Sequence, residues 1–301
     1  MNKYEKGLVV EDNSPDEFGY YRTRPDDFKV GIPDTLNMRI LLPIVFELLK
    51  SISYFGIVYF FTTYIWMDIG MDRKFIARIK TGLNFFYYFA ILLGAVLSDQ
   101  YFGNFKMIFF SSCLTVVGMI LIGISTLETI KDSVKVPLFI VSMFLLFGIG
   151  SSFINPSIIA FSGNQVRKGY KPTKTDGVYI DSRATVERCY RYIYSASIVG
   201  GIVGTYIAPR IKNYDSPIIN PLSSLAIMFV GIAAFISGYK IYYRNPITES
   251  SISKAYRCIK YALNNKKSSN SNWLDSSKSS KGGNYDDEFV DGLKRIKSMT
   301  T

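Results

Sequence analysis

The sequence contains no histidine and only three cysteines among its 301 residues. The absence of histidine excludes Ser-His-Asp and Cys-His nucleophile systems, histidine metal ligands and histidine proton relays. Cys113, Cys189 and Cys258 lie far apart and show no CxxC spacing, so they predict neither a disulfide framework nor a zinc site. We find no nucleophile, metal or cofactor constellation. The sequence therefore predicts no enzyme, no metal and no cofactor, and any proton chemistry must use carboxylates.

Charge is also scarce, since charged residues make up 20% of the chain and apolar residues 48%. Soluble proteins have a charged share nearer a quarter. Lys and Arg total 35 against 24 Asp and Glu, a net charge of +11. These basic residues are dispersed and accompany no nucleic-acid-binding motif. Basic loops that face the lipid of a cytoplasmic leaflet explain them better, so we expect membrane lipid and not nucleic acid as a partner.

Long apolar blocks lie between two polar ends, and residues 1–38 contain no signal-peptide core. A bilayer is crossed by roughly 20 apolar residues. Six stretches reach that length, and they cover residues 40–66, 81–101, 106–127, 136–162, 188–209 and 221–243. The sequence therefore predicts an all-α membrane protein with six transmembrane helices and both termini on one side.

Lys and Arg are more frequent near the span ends on the side that holds the termini. This bias predicts cytoplasmic termini, although the basic first outer loop, with Arg73 and Lys74, weakens it. The predicted regions are a cytoplasmic tail over 1–38, a transmembrane bundle over 39–244, an amphipathic cytoplasmic helix over 245–265 and a flexible cytoplasmic linker over 266–301. A solvated connector helix is the alternative for 245–265.

Two ionisable residues lie inside the first span, where charge is costly and indicates function by default. Glu47 and Lys50 are three residues apart and share a helical face. If that face lines a cavity, the pair could bind the ends of a zwitterion or carry a proton on Glu47. The alternative is a mutually neutralising pair that allows the helix to insert. Tyr54 continues the same stripe.

Small residues and a proline mark two other spans. Gly200 and Gly204 form a small-xxx-small pattern that predicts close helix packing. Pro156 interrupts the backbone hydrogen bonds of its span beside Asn155. In transporters such an interruption often lies near a substrate site.

A motif between the second and third spans resembles a gating loop of the major facilitator superfamily. It reads Gly-Ala-Val-Leu-Ser-Asp-Gln-Tyr-Phe-Gly-Asn-Phe-Lys from Gly94 to Lys106. In that superfamily the acid, glycine turn and basic residue form a cytoplasmic latch. The resemblance assigns this role to Gly94, Asp99, Gly103 and Lys106.

Residues 47–56 read Glu-Leu-Leu-Lys-Ser-Ile-Ser-Tyr-Phe-Gly. This motif is similar to Glu-x-x-Glu-Arg-Phe-Ser-Tyr-Tyr-Gly, a signature of the proton-coupled oligopeptide transporters. Residues 150–165 are similar to the second signature, and 166–187 and 285–295 resemble the fungal branch. The resemblance implies the N-terminal six-helix bundle of a twelve-helix fold. It further implies a plasma-membrane symporter that moves di- and tripeptides inward, with the proton gradient as driving force.

The resemblance also implies a set of site residues. Glu47 is the expected proton-coupling residue. The expected peptide-binding residues are Lys50, Tyr54, Tyr88, Asn155 and Ser197, where the alignment at Tyr88 admits a shift of one residue.

This chain departs from the family pattern at several of these positions. Lys50 replaces the second signature acid, Ser51 the arginine, Asn155 a lysine and Ser197 an asparagine. One interpretation is that Lys50 takes over the role of the lost cations and holds a peptide carboxylate as a point charge. The other is a site that has lost its function.

Transporters of this superfamily bind substrate between two six-helix halves, and this sequence matches the first half. The interpretations, in order, are a gene fragment, a truncated paralogue and a half that assembles as a homodimer. The leading function is proton-coupled peptide transport. The alternatives are a non-transporting half-bundle that associates with or regulates an intact transporter, and an uncoupled pore formed by oligomers.

Overall fold

A computed structural model describes residues 15–67, 69–70, 72–211, 217–244, 251–265 and 273–298. The described chain is mainly helical. Its α-helices are α1 (Met38–Met67), α2 (Arg73–Leu97), α3 (Asn104–Ser125), α4 (Asp132–Val141), α5 (Ile149–Asn164), α6 (Ser182–Ile211), α7 (Ile219–Ser237), α8 (Ser251–Asn264) and α9 (Asp287–Ser298). A π-helical stretch, Ser98–Phe102, continues α2, and another, Ser142–Gly148, joins α4 to α5.

Five helical segments among the described residues are long and apolar enough to cross a membrane. They are Met38–Met67, Lys74–Phe102, Asn104–Ser125, Ser133–Asn164 and Ile219–Ser237. These segments coincide with five of the six predicted spans, and the protein is an integral membrane protein. The predicted span 188–209 lies within α6, which is 30 residues long. Its apolar character is weaker because arginines, tyrosines, serines and glycines interrupt its Ile and Val residues.

The helix α1 is central to the bundle and packs against α6 and α7. The predicted small-residue contact is confirmed, since a Cβ atom on Gly200 would lie 2.6 Å from the Leu48 carbonyl oxygen. A Cβ on Gly204 would overlap the Ile52 carbonyl oxygen. Only glycine lets the two backbones approach this closely. In lipid the hydrophobic effect does not drive helices together, so the dispersion contacts of this close packing stabilise the association of α1 with α6.

Aromatic side chains fill the interior of the bundle. Five phenylalanines are almost completely buried, namely Phe46, Phe61, Phe139, Phe147 and Phe235. Phe61 and Phe139 stack with ring centroids 5.6 Å apart. These contacts fix α1 against the α4–α5 span and α7, and thereby fix the polar side chains that α1 carries.

A small three-stranded sheet covers the face at which α1 begins, which we call the loop face. Its strands are β1 (Val30–Ile32), β2 (Tyr170–Pro172) and β3 (Val178–Asp181), in the order β1-β3-β2. β1 runs parallel to β3, with Val30 opposite Val178, and β2 runs antiparallel to β3. The sheet joins regions that we predicted as a tail and a loop, because strands of three or four residues leave too short a pattern to recognise.

A second small unit follows the bundle. α8 packs on a 3₁₀ turn, Trp273–Ser277, and on α9 around the buried side chains of Cys258, Ala262, Leu274 and Val290. This arrangement differs from the flexible linker predicted over 266–301, of which 266–272 and 299–301 lie outside the described residues. Serine-rich composition predicted a linker, but Trp273, Phe289 and Leu293 provide enough apolar surface to pack on α8.

Candidate functional site

A buried ion pair lies in the middle of α1. Lys50 Nζ is 2.8 Å from each carboxylate oxygen of Glu47, and the two residues are 6% and 3% exposed. Ser51 Oγ donates to Glu47 Oε1 at 3.3 Å. The spacing of three residues on one helix produces this pair directly. Removal of two charges from water costs more than their attraction returns unless further hydrogen bonds satisfy them, so the surrounding contacts matter.

Those contacts come from three other helices. Lys50 Nζ donates to Asn155 Oδ1 on α5 at 2.6 Å, and Asn155 Nδ2 donates to the hydroxyl oxygen of Tyr87 on α2. Ser51 Oγ also lies 3.3 Å from Ser197 Oγ on α6, and because its one proton is donated to Glu47, it accepts from the Ser197 hydroxyl. A polar chain therefore connects α1, α2, α5 and α6 through the interior of the bundle.

Aromatic rings hold Tyr54 beside this chain. The Tyr54 ring stacks on Phe147 with centroids 5.4 Å apart and lies 5.7 Å from the Tyr87 ring. The stacking restricts both tyrosines while their hydroxyl groups remain available to a ligand. The site thus combines a cation, a carboxylate and several neutral hydrogen-bonding groups in fixed positions.

A cavity of about 540 Å³ opens from this polar chain. Its side-chain lining is largely polar and aromatic, and includes Lys50, Ser51, Tyr54, Lys80, Asn84, Tyr87, Tyr88, Asn155, Ser197 and Thr205. None of its lining residues is Asp or Glu, because Glu47 lies behind Lys50. Lys80 is exposed and forms no ion pair with any residue that the structure describes. The cavity therefore presents positive charge.

The structure brings most of the predicted site residues together. Glu47, Lys50, Tyr54, Asn155 and Ser197 all contact the polar chain or line the cavity. Their predicted roles remain proposals.

Tyr87 fits the polar chain better than Tyr88, the α2 tyrosine that we predicted. Tyr88 lines the cavity but is 69% exposed, whereas Tyr87 contacts Asn155. The shift of one residue that the alignment admits at Tyr88 leads to Tyr87, whereas sequence reasoning missed Asn84 and Lys80. A signal was present, because Lys80, Asn84 and Tyr87 recur at helical spacing on one face of α2.

The four residues of the predicted gating loop lie at the end of α2 and the start of α3. A Cβ on Gly94 would lie 2.7 Å from Phe153 Cδ1, so Gly94 allows close packing of α2 on α5. Gly103 has φ +75°, a left-handed conformation that favours glycine, and its N–H donates to the Ser98 carbonyl oxygen at 2.8 Å. Asp99 is half-buried and Lys106 is exposed. This geometry forms a tight turn on the loop face, and its gating role remains a prediction.

The bundle has the major facilitator fold, and comparison with known proteins defines its family. The POT family (PTR2) matches residues 105–297, which is well over half of the chain. The chain belongs to the POT family.

Individual relatives are distant and longer. Solute carrier family 15 member 2 of Danio rerio is 26% identical over 249 residues, which cover 80% of this chain and 32% of the relative. The solved POT family transporter PepTSo superposes with a TM-score of 0.62 at 19% identity, over 79% of this chain and 45% of that chain. A peptide transporter POT solved in complex with alafosfalin gives a TM-score of 0.55 at 17% identity, over 74% and 44%. This chain therefore spans about a third of the curated relative and less than half of the solved chains.

Proposed function

We propose that this chain forms the N-terminal half of a proton-coupled transporter of di- and tripeptides. The observation that carries the proposal is the buried Glu47–Lys50–Asn155 chain at the inner end of a polar cavity. Membership of the POT family supports it, as does the similarity to a solved peptide transporter that binds alafosfalin. The proposed location is the plasma membrane, with both termini cytoplasmic.

In this proposal the peptide carboxylate binds Lys50. The approaching carboxylate competes with Glu47 for the Lys50 ammonium, which already has Glu47 and Asn155 as partners. A Glu47 carboxylate that loses its cation in a buried position becomes costly to keep charged. Glu47 therefore takes up a proton on its carboxylate when the peptide binds.

Release reverses these steps. When the peptide leaves, Lys50 returns to Glu47, and the ion pair favours the ionised carboxylate, which loses its proton. Proton and peptide thus bind together and leave together. Tyr54, Asn155 and Ser197 supply hydrogen bonds that orient the peptide, and Lys50 acts as a point charge in place of a planar fork.

The other wall of the cavity must come from a second half. In this fold the substrate lies between two bundles that move about it, and the described residues form one bundle. The second half is either a further part of the same polypeptide or another copy of this chain. A second candidate function, association with an intact transporter without transport, uses the same exposed cavity side.

Uptake of a labelled dipeptide tests the proposal. The 301 residues are expressed in a host that lacks peptide transporters, and uptake is measured at acidic and neutral external pH. We expect saturable uptake that rises with the inward proton gradient and is abolished by Glu47→Gln. Glu128→Gln is the matched control, because Glu128 is an exposed acid between α3 and α4. Retained pH-driven uptake in Glu47→Gln contradicts the proposed proton carrier.

An absence of uptake with the protein present in the membrane requires a second step. Co-expression with a C-terminal half of a relative restores uptake if a second wall is missing. Co-purification of an intact transporter without any gain in uptake favours the second candidate function.

A further inference from the structure

A second polar cavity lies on the loop face, remote from the polar chain of α1. Its volume is about 450 Å³, and its walls come from the N-terminal segment, the first turn of α1, the end of α5 and the loop that leads to α6. Its lining includes Phe18, Tyr20, Asp34, Arg39, Arg167 and Lys171. A neighbouring cavity of about 970 Å³ shares Arg39 and Arg167. Neither the fold nor the proposed transport explains this concentration of cations.

Two of the three cations are held in place by aromatic rings. The Arg167 guanidinium lies 3.3 Å from the centroid of the Phe18 ring, and Lys171 Nζ lies 5.6 Å from the centroid of the Tyr20 ring. Such cation–π contacts position a charge but do not neutralise it. Arg39 is half-buried in the first turn of α1. The three side chains thus present positive charge to one cavity, and aromatic rings position two of them.

The acids near these three cations are Asp34 in this cavity and Asp16, Glu17 and Glu187 in the neighbouring one. Within the described part of the chain, Arg39, Arg167 and Lys171 form no ion pair with a carboxylate. Asp34 is the one acid that lines this cavity, and its oxygens accept from the Tyr20 hydroxyl at 3.1 Å and the Thr35 N–H at 2.7 Å.

The Tyr20 phenol and one acid of the neighbouring cavity also form hydrogen bonds. Burial and the Asp34 carboxylate raise the pKa of Tyr20 to about 12, so the phenol stays protonated and keeps donating to Asp34. Asp16 lines the neighbouring cavity, and its carboxylate accepts from the Tyr20 N–H at 2.8 Å and the Phe18 N–H at 3.0 Å. These backbone hydrogen bonds, and to a smaller extent the Arg167 charge, lower the pKa of Asp16. Asp34 and Asp16 are therefore held by neutral donors and form no ion pair with the three cations in the described part of the chain.

The walls of this cavity are built by contacts between distant parts of the chain. The Asp34 N–H donates to Thr185 Oγ1 at 2.9 Å, and Arg188 donates to the Asp34 carbonyl oxygen at 3.3 Å. Tyr21 and Tyr170 exchange backbone hydrogen bonds of 2.8 Å and 2.9 Å. The N-terminal segment is thus tied to α6 and to the sheet, and the cavity is formed before any ligand binds.

We propose that this cavity is a binding site for a phosphate-bearing anion, held by Arg39, Arg167 and Lys171. Two guanidinium groups offer planar forks that match phosphate oxygens, and an ammonium adds a point charge. The phosphate can belong to a lipid headgroup or to free phosphate. Arg39 lies in the first turn of α1, at the end of a segment that is long and apolar enough to cross a membrane, and this position favours the lipid.

Binding of a fluorescent short-chain phosphatidylinositol 4-phosphate tests the site. The full chain is placed in phosphatidylcholine nanodiscs, and binding is followed by anisotropy, with inorganic phosphate as competitor. We expect saturable binding that weakens by about tenfold for each guanidinium removed, in Arg39→Gln and Arg167→Gln. Arg210→Gln is the matched control, since Arg210, like Arg167, lies over an aromatic ring, that of Tyr206, but is at the end of α6 away from the loop face.

The variants separate binding from folding and the two sources of phosphate. Arg39→Lys keeps the charge but not the planar fork, so it binds more tightly than Arg39→Gln and less tightly than wild type, an order that misfolding does not produce. Competition by millimolar inorganic phosphate identifies free phosphate as the ligand, whereas resistance to it identifies the lipid headgroup. Absence of saturable binding by either probe, or equal binding by wild type and both glutamine variants, overturns the proposal.

Discussion

Two ion pairs with the same spacing lie in different surroundings of this molecule. Glu47 and Lys50 in α1 and Asp291 and Lys294 in α9 are each three residues apart, with contacts of 2.8 Å and 3.1 Å. The side chains of Lys50 and Glu47 are 7% and 4% exposed, whereas those of Lys294 and Asp291 are 22% and 46% exposed. Local sequence produces the pair in both helices, and burial decides what the pair does.

An exposed pair contributes little to stability, because water solvates its charges whether or not they meet. A buried pair does not stabilise the fold compared with apolar residues of similar size. Stability alone therefore does not account for the buried charges of α1, and their role in binding a peptide and a proton remains a proposal. In α9 water reaches Asp291, and Lys294 also contacts the buried Asp275.

Removal of the buried cation has the largest expected effect. Lys50→Met leaves the Glu47 carboxylate buried without its cation, and we expect a loss of about 3–5 kcal/mol in the free energy of unfolding. Chemical unfolding of the purified protein in detergent measures this loss.

The double variant Glu47→Gln/Lys50→Met is the control for this prediction. It removes both charges and regains most of the lost stability, because no buried charge remains. Equal unfolding free energies for Lys50→Met and wild type contradict the buried ion pair.

The corresponding change in α9 has a smaller effect. Lys294 also pairs with the buried Asp275, so Lys294→Met leaves one acid at the edge of the small unit and lowers stability by about 1–2 kcal/mol. Fluorescence of Trp273 in a Trp66→Phe background reports unfolding of this unit. Glu288→Gln changes an exposed acid of the same helix that forms no ion pair with a described residue, so it serves as control and leaves the transition unchanged.

The α9 pair also predicts how the stability of the small unit depends on pH. Hydrogen bonds from Lys278 and Lys294 hold the pKa of Asp291 below its usual value. A lowered carboxylate pKa gives stability that is present above the unfolded pKa of about 3.9 and is lost as the pH falls through the folded pKa. Desolvation lowers the pKa of Lys294, but its contacts with Asp275 and Asp291 outweigh this and raise it.

The raised pKa of Lys294 has the opposite consequence for alkaline solution. Its contribution is complete below the unfolded pKa of about 10.4 and is lost as the pH rises through the folded pKa. We expect the Trp273 signal to be constant between about pH 5 and 9 and to report loosening of α9 outside that range. A transition near neutral pH contradicts this assignment, because no histidine is available to titrate there.

The ion pair of α1 and five of the spans could be predicted from the sequence, because each depends on residues that are close together in the chain. Five spans follow from hydropathy, and the pairing of Glu47 with Lys50 follows from spacing within one helix. The partner helices could not be predicted from residues alone. Contact of Lys50 with Asn155 joins positions 105 residues apart, and only the packing of α1 on α5 brings them together.

The loop face was hidden from sequence reasoning for the same reason. Val30 pairs with Val178, and the basic cavity combines Arg39 with Arg167. The two members of each pair are more than 120 residues apart in the sequence, and neither one alone indicates a sheet or a cavity. Composition also misled us over 273–298, where polar residues predominate but the buried side chains of Leu274 and Val290 pack with Cys258 and Ala262 of α8. Short segments that pack through few residues are thus the least predictable part of this chain.

The smallest expected effect concerns the second lysine of the cavity. Lys80 forms no ion pair among the described residues and lies near the mouth, so its charge is screened by water and salt. If the chain transports peptides, Lys80 favours substrates with an acidic side chain over those with a basic one. We expect Lys80→Gln to lower the uptake ratio of acidic to basic dipeptides by about threefold at low salt and less at high salt. Lys74→Gln, an exposed lysine of the same helix outside the cavity, leaves this ratio unchanged. Glu47 neutralises Lys50, whereas no described acid pairs with Lys80. If Lys80→Gln leaves the uptake ratio unchanged, Lys80 does not select substrates by charge, and Lys50 alone does so in this half of the cavity.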